Sequence, residues 1–124
     1  MRKVVDLIAT LAIWFAAVPN CSQAVDSVDF NRDIRPILSN RCFRCHGPDE
    51  SARQADLRLD DEASAEGPFY RRGGTPIIRR HKPEESTLWQ RITSEDPDEV
   101  MPPPGANLEP LSSAERELIK RWIQ

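Results

Sequence analysis

Apolar residues recur with helical spacing in three stretches of the chain. Phe30, Ile34, Ile37 and Leu38 fall at i, i+4, i+7 and i+8, which is one face of a helix, and Arg41 ends the same file. Asp29 or Ser27 suits the start of that helix, because a short oxygen side chain can accept first-turn N–H groups. Pro36 lies in its second turn and predicts a bend, since proline removes a hydrogen bond and crowds the preceding turn. A second helix is expected to begin at Pro83, Glu84 and Glu85, where proline fits the first turn and carboxylates face the positive end of the dipole. Leu88, Trp89 and Ile92 supply its apolar face. The third helix is the best marked: Ser112 and Glu115 form a capping-box pattern. Ala114, Leu118, Ile119, Trp122 and Ile123 then make the stripe, with Glu115, Arg116, Lys120 and Arg121 off it.

Strand signals are short. Leu57 and Leu59 alternate with Asp56, Arg58 and Asp60, and Ile77 and Ile78 follow Gly73 and Gly74. Together they predict room for one small two-stranded element, which is marginal alone and must lean on the core. The pattern as a whole predicts a mainly α fold with long loops.

The N-terminal segment reads differently. Arg2 and Lys3 precede an apolar run of twelve residues, 7–18, broken only by Thr10. Pro19 and Asn20 end the run, and Ser22, Gln23 and Ala24 place small residues where a signal peptidase reads. The run is shorter than the roughly 20 apolar residues of a membrane span. Residues 1–24 are therefore expected to be a signal peptide and residues 25–124 the exported domain. The alternatives are an uncleaved anchor, which would be the one route to a membrane, and lipidation at Cys21. Pro19 and Asn20 replace the small residues that a lipidation site needs.

Composition narrows the picture further. With 124 residues, one domain is expected. Arg2, Lys3 and Asp6 carry a net of +1, so the total of −3 leaves −4 for the exported part. An acidic balance excludes the concentrated basic face that nucleic-acid binding needs. Eleven prolines and five glycines imply loops, and a small loop-rich domain needs a staple such as a cofactor, metal or disulfide.

The staple is legible in Cys42-Phe43-Arg44-Cys45-His46. Two thiols three positions apart on a helical turn can both reach the vinyl groups of one haem, and the next residue offers an imidazole to the iron. Such attachment occurs after export, so this motif and the leader support each other. The rival readings are a zinc site, a dithiol or a plain disulfide. Zinc wants four ligands, and His81 is the only histidine besides His46. A thioredoxin-like pair wants a βαβ setting.

Residues flanking the motif carry a resemblance. Residues 28–38, the motif, and Gly47-Pro48-Asp49-Glu50 are similar to the planctomycete-type cytochrome c domain. So are residues 56–60 and 82–86, Asp96-Pro97-Asp98-Glu99, Met101-Pro102-Pro103-Pro104, and the closing helix that opens on Leu111 and Ser112. The likeness runs from about residue 27 to the end. It implies a class I-like fold around one covalent haem c, in which the first and last helices cross. Ile34 and Leu38 stand at that crossing with no glycine, so a wide crossing is expected. In this family the module usually opens a longer secreted protein, and Gln124 falls inside the module's last helix. A fused C-terminal enzyme domain of a longer parent chain, or a separate redox protein, is the expected partner.

The ligand opposite His46 is expected to be Met101. A thioether is a soft iron donor, and His/Met ligation raises a haem potential. Met101 lies 10 residues before Leu111, and Pro102, Pro103 and Pro104 would hold it stiffly in an extended loop. His81 is the rival, set among Arg79, Arg80 and Lys82, and an open position is the third reading. Arg71-Arg72 and Arg79-Arg80 are solvated pairs, or one of them meets a haem propionate. No proton donor, nucleophile or second cluster stands out. The expected function is an exported, periplasmic or otherwise extracytoplasmic module, non-enzymatic, that binds one haem and passes single electrons. The alternative is a redox-enzyme subunit or sensor with an open sixth position.

Overall fold

The computed structural model describes residues 27–65, 67–69 and 75–124. The leader with Cys21, the Arg71-Arg72 pair, and Gly73 and Gly74 lie outside the described residues. Among the described residues the regular structure is helical and contains no strand. A π-helical turn, Phe30–Ile34, runs into α1 (Arg35–Arg41) and then α2 (Phe43–His46). Long loops lead to a 3-10 turn at Pro83–Glu85, α3 (Thr87–Thr93), a second 3-10 turn at Pro104–Ala106, and α4 (Ser113–Ile123). This is the mainly α fold that the sequence implies.

The first helix solves its proline problem by widening. Arg35 N–H donates to the Phe30 carbonyl, a bond spanning five residues, and Pro36 then falls in the first turn of α1. Proline is tolerated there because first-turn N–H groups have no helical partner. The expected bend is thus taken up by a π turn. Asp29 caps it: Arg32 N–H donates to Asp29 Oδ1 at 2.8 Å, and Asp29 N–H donates to Asp33 Oδ2 at 2.8 Å. The reciprocal box is one residue longer than usual, as the wider turn requires.

Side-chain hydrogen bonds from Arg32, then the Asp29 amide, pull the Asp33 carboxyl from 3.8 to about 2. At the other end, the Ser112 amide holds Glu115 below its ordinary value, with the Ser112 hydroxyl and Arg41 acting in the same direction. Because the folded values lie below the unfolded ones, both carboxylates stabilise the fold above their unfolded pKa. That contribution is lost as pH falls through the unfolded values toward about 2. The melting temperature should drop over this acid range. Asp33→Asn and Glu115→Gln should melt lower at neutral pH and show a flatter acid limb, read by circular dichroism melts from pH 2 to 6. Parallel acid limbs for variants and parent would refute the assignment.

Helix α4 follows its predicted cap, with Glu115 N–H donating to Ser112 Oγ and Ser112 N–H donating to Glu115 Oε2. Its stripe is narrower than predicted. Ile119 and Ile123 are buried and Leu118 and Trp122 half-buried, whereas Ala114 is exposed. Ala114 faces solvent in the first turn, while Glu115 beside it turns to Arg41. Trp122 meets Phe30 with ring centroids 5.5 Å apart, and Arg41 pairs with Glu115 at 3.4 Å. The first and last helical segments therefore pack together.

Two expectations change. Helix α3 starts at Thr87 rather than at Pro83, because Ser86 is extended and fully buried. Its hydroxyl accepts from Arg79 N–H at 2.9 Å and donates to the Lys82 carbonyl at 2.8 Å, so it serves the preceding loop. The two-stranded element does not form. Leu59 N–H donates to the His46 carbonyl at 2.8 Å, while Ile77 and Ile78 both donate to Pro68. Ala55 and Asp56 have φ of 55° and 49°, which breaks the extended run before Leu57. Alternation in residues 56–60 records burial of Leu57 and Leu59, not ladder pairing. Twelve buried Ile and Leu side chains, from Ile34 to Ile123, make the single core.

Candidate functional site

The attachment motif is built from local bonds. Cys42 ends α1, and its carbonyl accepts from Cys45 N–H at 3.1 Å and His46 N–H at 2.8 Å. This makes α2 a single tight turn, which brings positions 42, 45 and 46 to one end of α1. Gly47 ends the turn so closely that a Cβ would lie 2.2 Å from the Phe43 carbonyl oxygen. Only glycine fits there. Neither cysteine is disulfide-bonded, and burial pushes the Cys42 thiol up to about 12.

The following loop returns to hold the imidazole. Gln54 N–H donates to the Cys45 carbonyl at 2.7 Å, and the Gln54 carbonyl lies 3.2 Å from His46 Nδ1. With the proton on Nδ1 donated to Gln54, Nε2 keeps its lone pair for a metal. Arg53 fastens the same loop, donating to the Gly47 and Pro48 carbonyls at 3.1 Å each. Nothing in the pattern of residues 47–55 marks Gln54 for this task, because only its backbone carbonyl is used.

A cleft of about 240 Å³ opens between the motif, the 55–59 loop, α3 and the loop after it. Cys42, His46 and Met101 line it together. Leu57, Leu59, Ile77, Leu88 and Ile92 form apolar wall, and Thr87 and Arg91 add polar groups from α3. Cys45 is half-buried and is not among the lining residues. Met101 is half-buried, with its N–H donating to the Arg91 carbonyl at 3.0 Å. Pro103 beyond it has the extended polyproline angles, φ −70° and ψ 149°.

His81 lies elsewhere. It is exposed, with φ 63°, and its N–H donates to the Ile123 carbonyl at 2.7 Å while its ring nitrogen meets the Gln124 carbonyl. It closes the C-terminal end of α4 and does not line the cleft. Arg79 pairs with Glu85 at 3.0 Å, and Arg80 lies 3.9 Å over the Phe69 ring and 3.8 Å from Glu62. Neither arginine lines the cleft. Arg91 does, and sequence reasoning passed over it because an arginine on a short amphipathic helix looks like a solvent-facing residue.

This donor set has a definite chemistry. One imidazole and one thioether cannot complete the shell of a bare zinc ion, which takes four ligands. Among the described residues no group of three or more His, Cys, Asp or Glu converges on a metal site. An imidazole and a thioether that line one largely apolar cleft together with a thiol suit an iron already held in a porphyrin. The residues present therefore fit a haem.

Comparison with known proteins agrees. The family model for planctomycete cytochrome C matches residues 42–105, just over half of the chain. No curated protein and no solved structure matches it.

Proposed function

The chain belongs to the planctomycete cytochrome C family, and from that premise we propose an exported, single-haem electron carrier. One observation carries the reading: Cys42, His46 and Met101 line the same apolar cleft. In this reading Cys42 and Cys45 would hold the haem by thioethers, and His46 and Met101 would bind its iron. The haem iron supplies a one-electron couple, whose potential a His/Met pair raises. Gln54 keeps the His46 proton on Nδ1, and the Leu and Ile walls exclude water. Met101 in the same cleft, as a second iron donor, favours electron transfer over an enzyme with an open iron position. In this reading residues 1–24 act as an export signal, and outside the cytoplasm a redox protein or a fused enzyme domain takes or supplies the electron.

The test is an optical spectrum of protein matured by a haem c assembly system, in both redox states. The oxidised form should show the weak red charge-transfer band of an iron–thioether bond. Met101→Ala should abolish that band, lower the potential and open the reduced protein to carbon monoxide. His81→Ala should leave all three unchanged. The ligand assignment fails if the His81 variant shows these changes and the Met101 variant looks native.

A further inference from the structure

The segment carrying Met101 is fastened at both ends by arginine side chains that donate to backbone carbonyls. At its start, Arg91 on α3 makes two contacts with one short stretch: its Nη1 donates to the Glu99 carbonyl at 3.1 Å, and its own carbonyl accepts from Met101 N–H at 3.0 Å. At its end, Arg44 in the attachment turn donates from Nη1 to the Ala106 carbonyl at 3.2 Å. Between them stand Pro102, Pro103 and Pro104, which have few unfolded conformers to lose. The stretch from Glu99 to Ala106 is thus a stiff strap, tied to the helix on one side of the cleft and to the haem motif on the other.

We propose that Arg91 and Arg44 are positioning residues that hold the Met101 strap closed over the cleft. The proposal rests on Met101 being the distal ligand and adds what keeps it there. Within the strap Glu99, Pro103, Pro104 and Gly105 are exposed and the other four residues are only half-buried, so none of it belongs to the buried core. Its closed state must therefore come from directed bonds. Bonds from a charged guanidinium are the stronger kind, and although the Arg91–Glu99 bond lies at the surface, the Arg91 side chain is half-buried and so more confined. Arg44 is exposed, and its bond is correspondingly weaker.

Carbon monoxide reaches reduced iron only from molecules whose strap has opened, so its binding rate scales with the open fraction. Loss of one charge-assisted bond should raise that fraction about tenfold. Holoprotein carrying Arg91→Leu, which keeps an aliphatic stem, should bind carbon monoxide about tenfold faster than the parent and show a weaker red band. Amide exchange at Met101 should quicken by the same factor, a readout independent of the iron. Arg44→Leu, on an exposed residue that leaves the core untouched, should give about threefold. Arg79→Leu removes an equal charge away from the strap and should change nothing. If Arg91→Leu does not mature, Arg44→Leu decides the question by itself. A parent protein with no red band overturns Met101 ligation and the strap with it. A parent band that both variants leave intact, with parental carbon monoxide and exchange rates, overturns the positioning role alone.

Discussion

Haem-free protein should lack a cooperative near-ultraviolet melt. The secondary structure cannot stand by itself: α1 and α3 have seven residues each, α2 has four and α4 eleven. Isolated helices shorter than about 12–15 residues are marginal in water. They persist here because they pack, and five of the twelve core side chains, Leu57, Leu59, Ile77, Leu88 and Ile92, also line the cleft. Full burial of one such side chain stabilises by about 1.5–3 kcal/mol. A flat apolar cofactor in the cleft adds its own apolar burial to theirs, and its binding stabilises the folded chain. A domain of this size has roughly 5–15 kcal/mol in all, so loss of that contribution leaves it at the edge of folding. Replacing Cys42 and Cys45 together by serine should make the haem extractable by acid–acetone, and the extracted protein is the species to examine. A haem-free melt as cooperative and as high as that of the holoprotein would contradict the argument.

Ile119→Ala should cost about 2–5 kcal/mol in the holoprotein, the range for truncating a buried aliphatic side chain. Ile119 is 0% exposed and so is Ile34. They belong to the layer where α4 packs on the π turn, which the Phe30–Trp122 ring contact and the Arg41–Glu115 ion pair border. Neither isoleucine lines the cleft, so nothing there can relax into the space that truncation leaves. For a domain of this length about 1 kcal/mol moves the melting midpoint by roughly 4–8 °C, giving a fall of about 8–40 °C. The visible spectrum at room temperature should stay native, because the donors are untouched. Ala114→Ser, on the same helix but exposed, should shift stability by less than about 0.5 kcal/mol. Equal melting temperatures for the two variants would show that the two ends of the chain do not share a core.

What was legible in the sequence was local. The capping box at Ser112 and Glu115 and the apolar face from Phe30 to Leu38 each depend on residues within one to three helical turns. Spacing along the chain determines them before any tertiary contact forms. The attachment motif is of the same kind, since a single turn at α2 is enough to gather positions 42, 45 and 46.

What the tertiary structure decided was which groups meet across distance. Leu57, Leu59, Ile77 and Ile78 carry a strand-like pattern, yet their N–H groups that bond do so to Gln54, His46 and Pro68. The pattern records which side chains are buried, and burial is compatible with several hydrogen-bond partners. The start of α3 moved to Thr87 because the Ser86 hydroxyl is drawn into the loop before it. Arg91, Arg44 and Gln54 gained their tasks through backbone carbonyls, which every residue carries and no sequence pattern distinguishes. The sequence by itself determined the attachment turn and the helix caps, because their bonds close within one or two turns. The cleft's walls, the Gln54–His46 bond and the two ends of the Met101 strap were decided only when distant segments packed, because those bonds join residues 8, 8 and 62 positions apart.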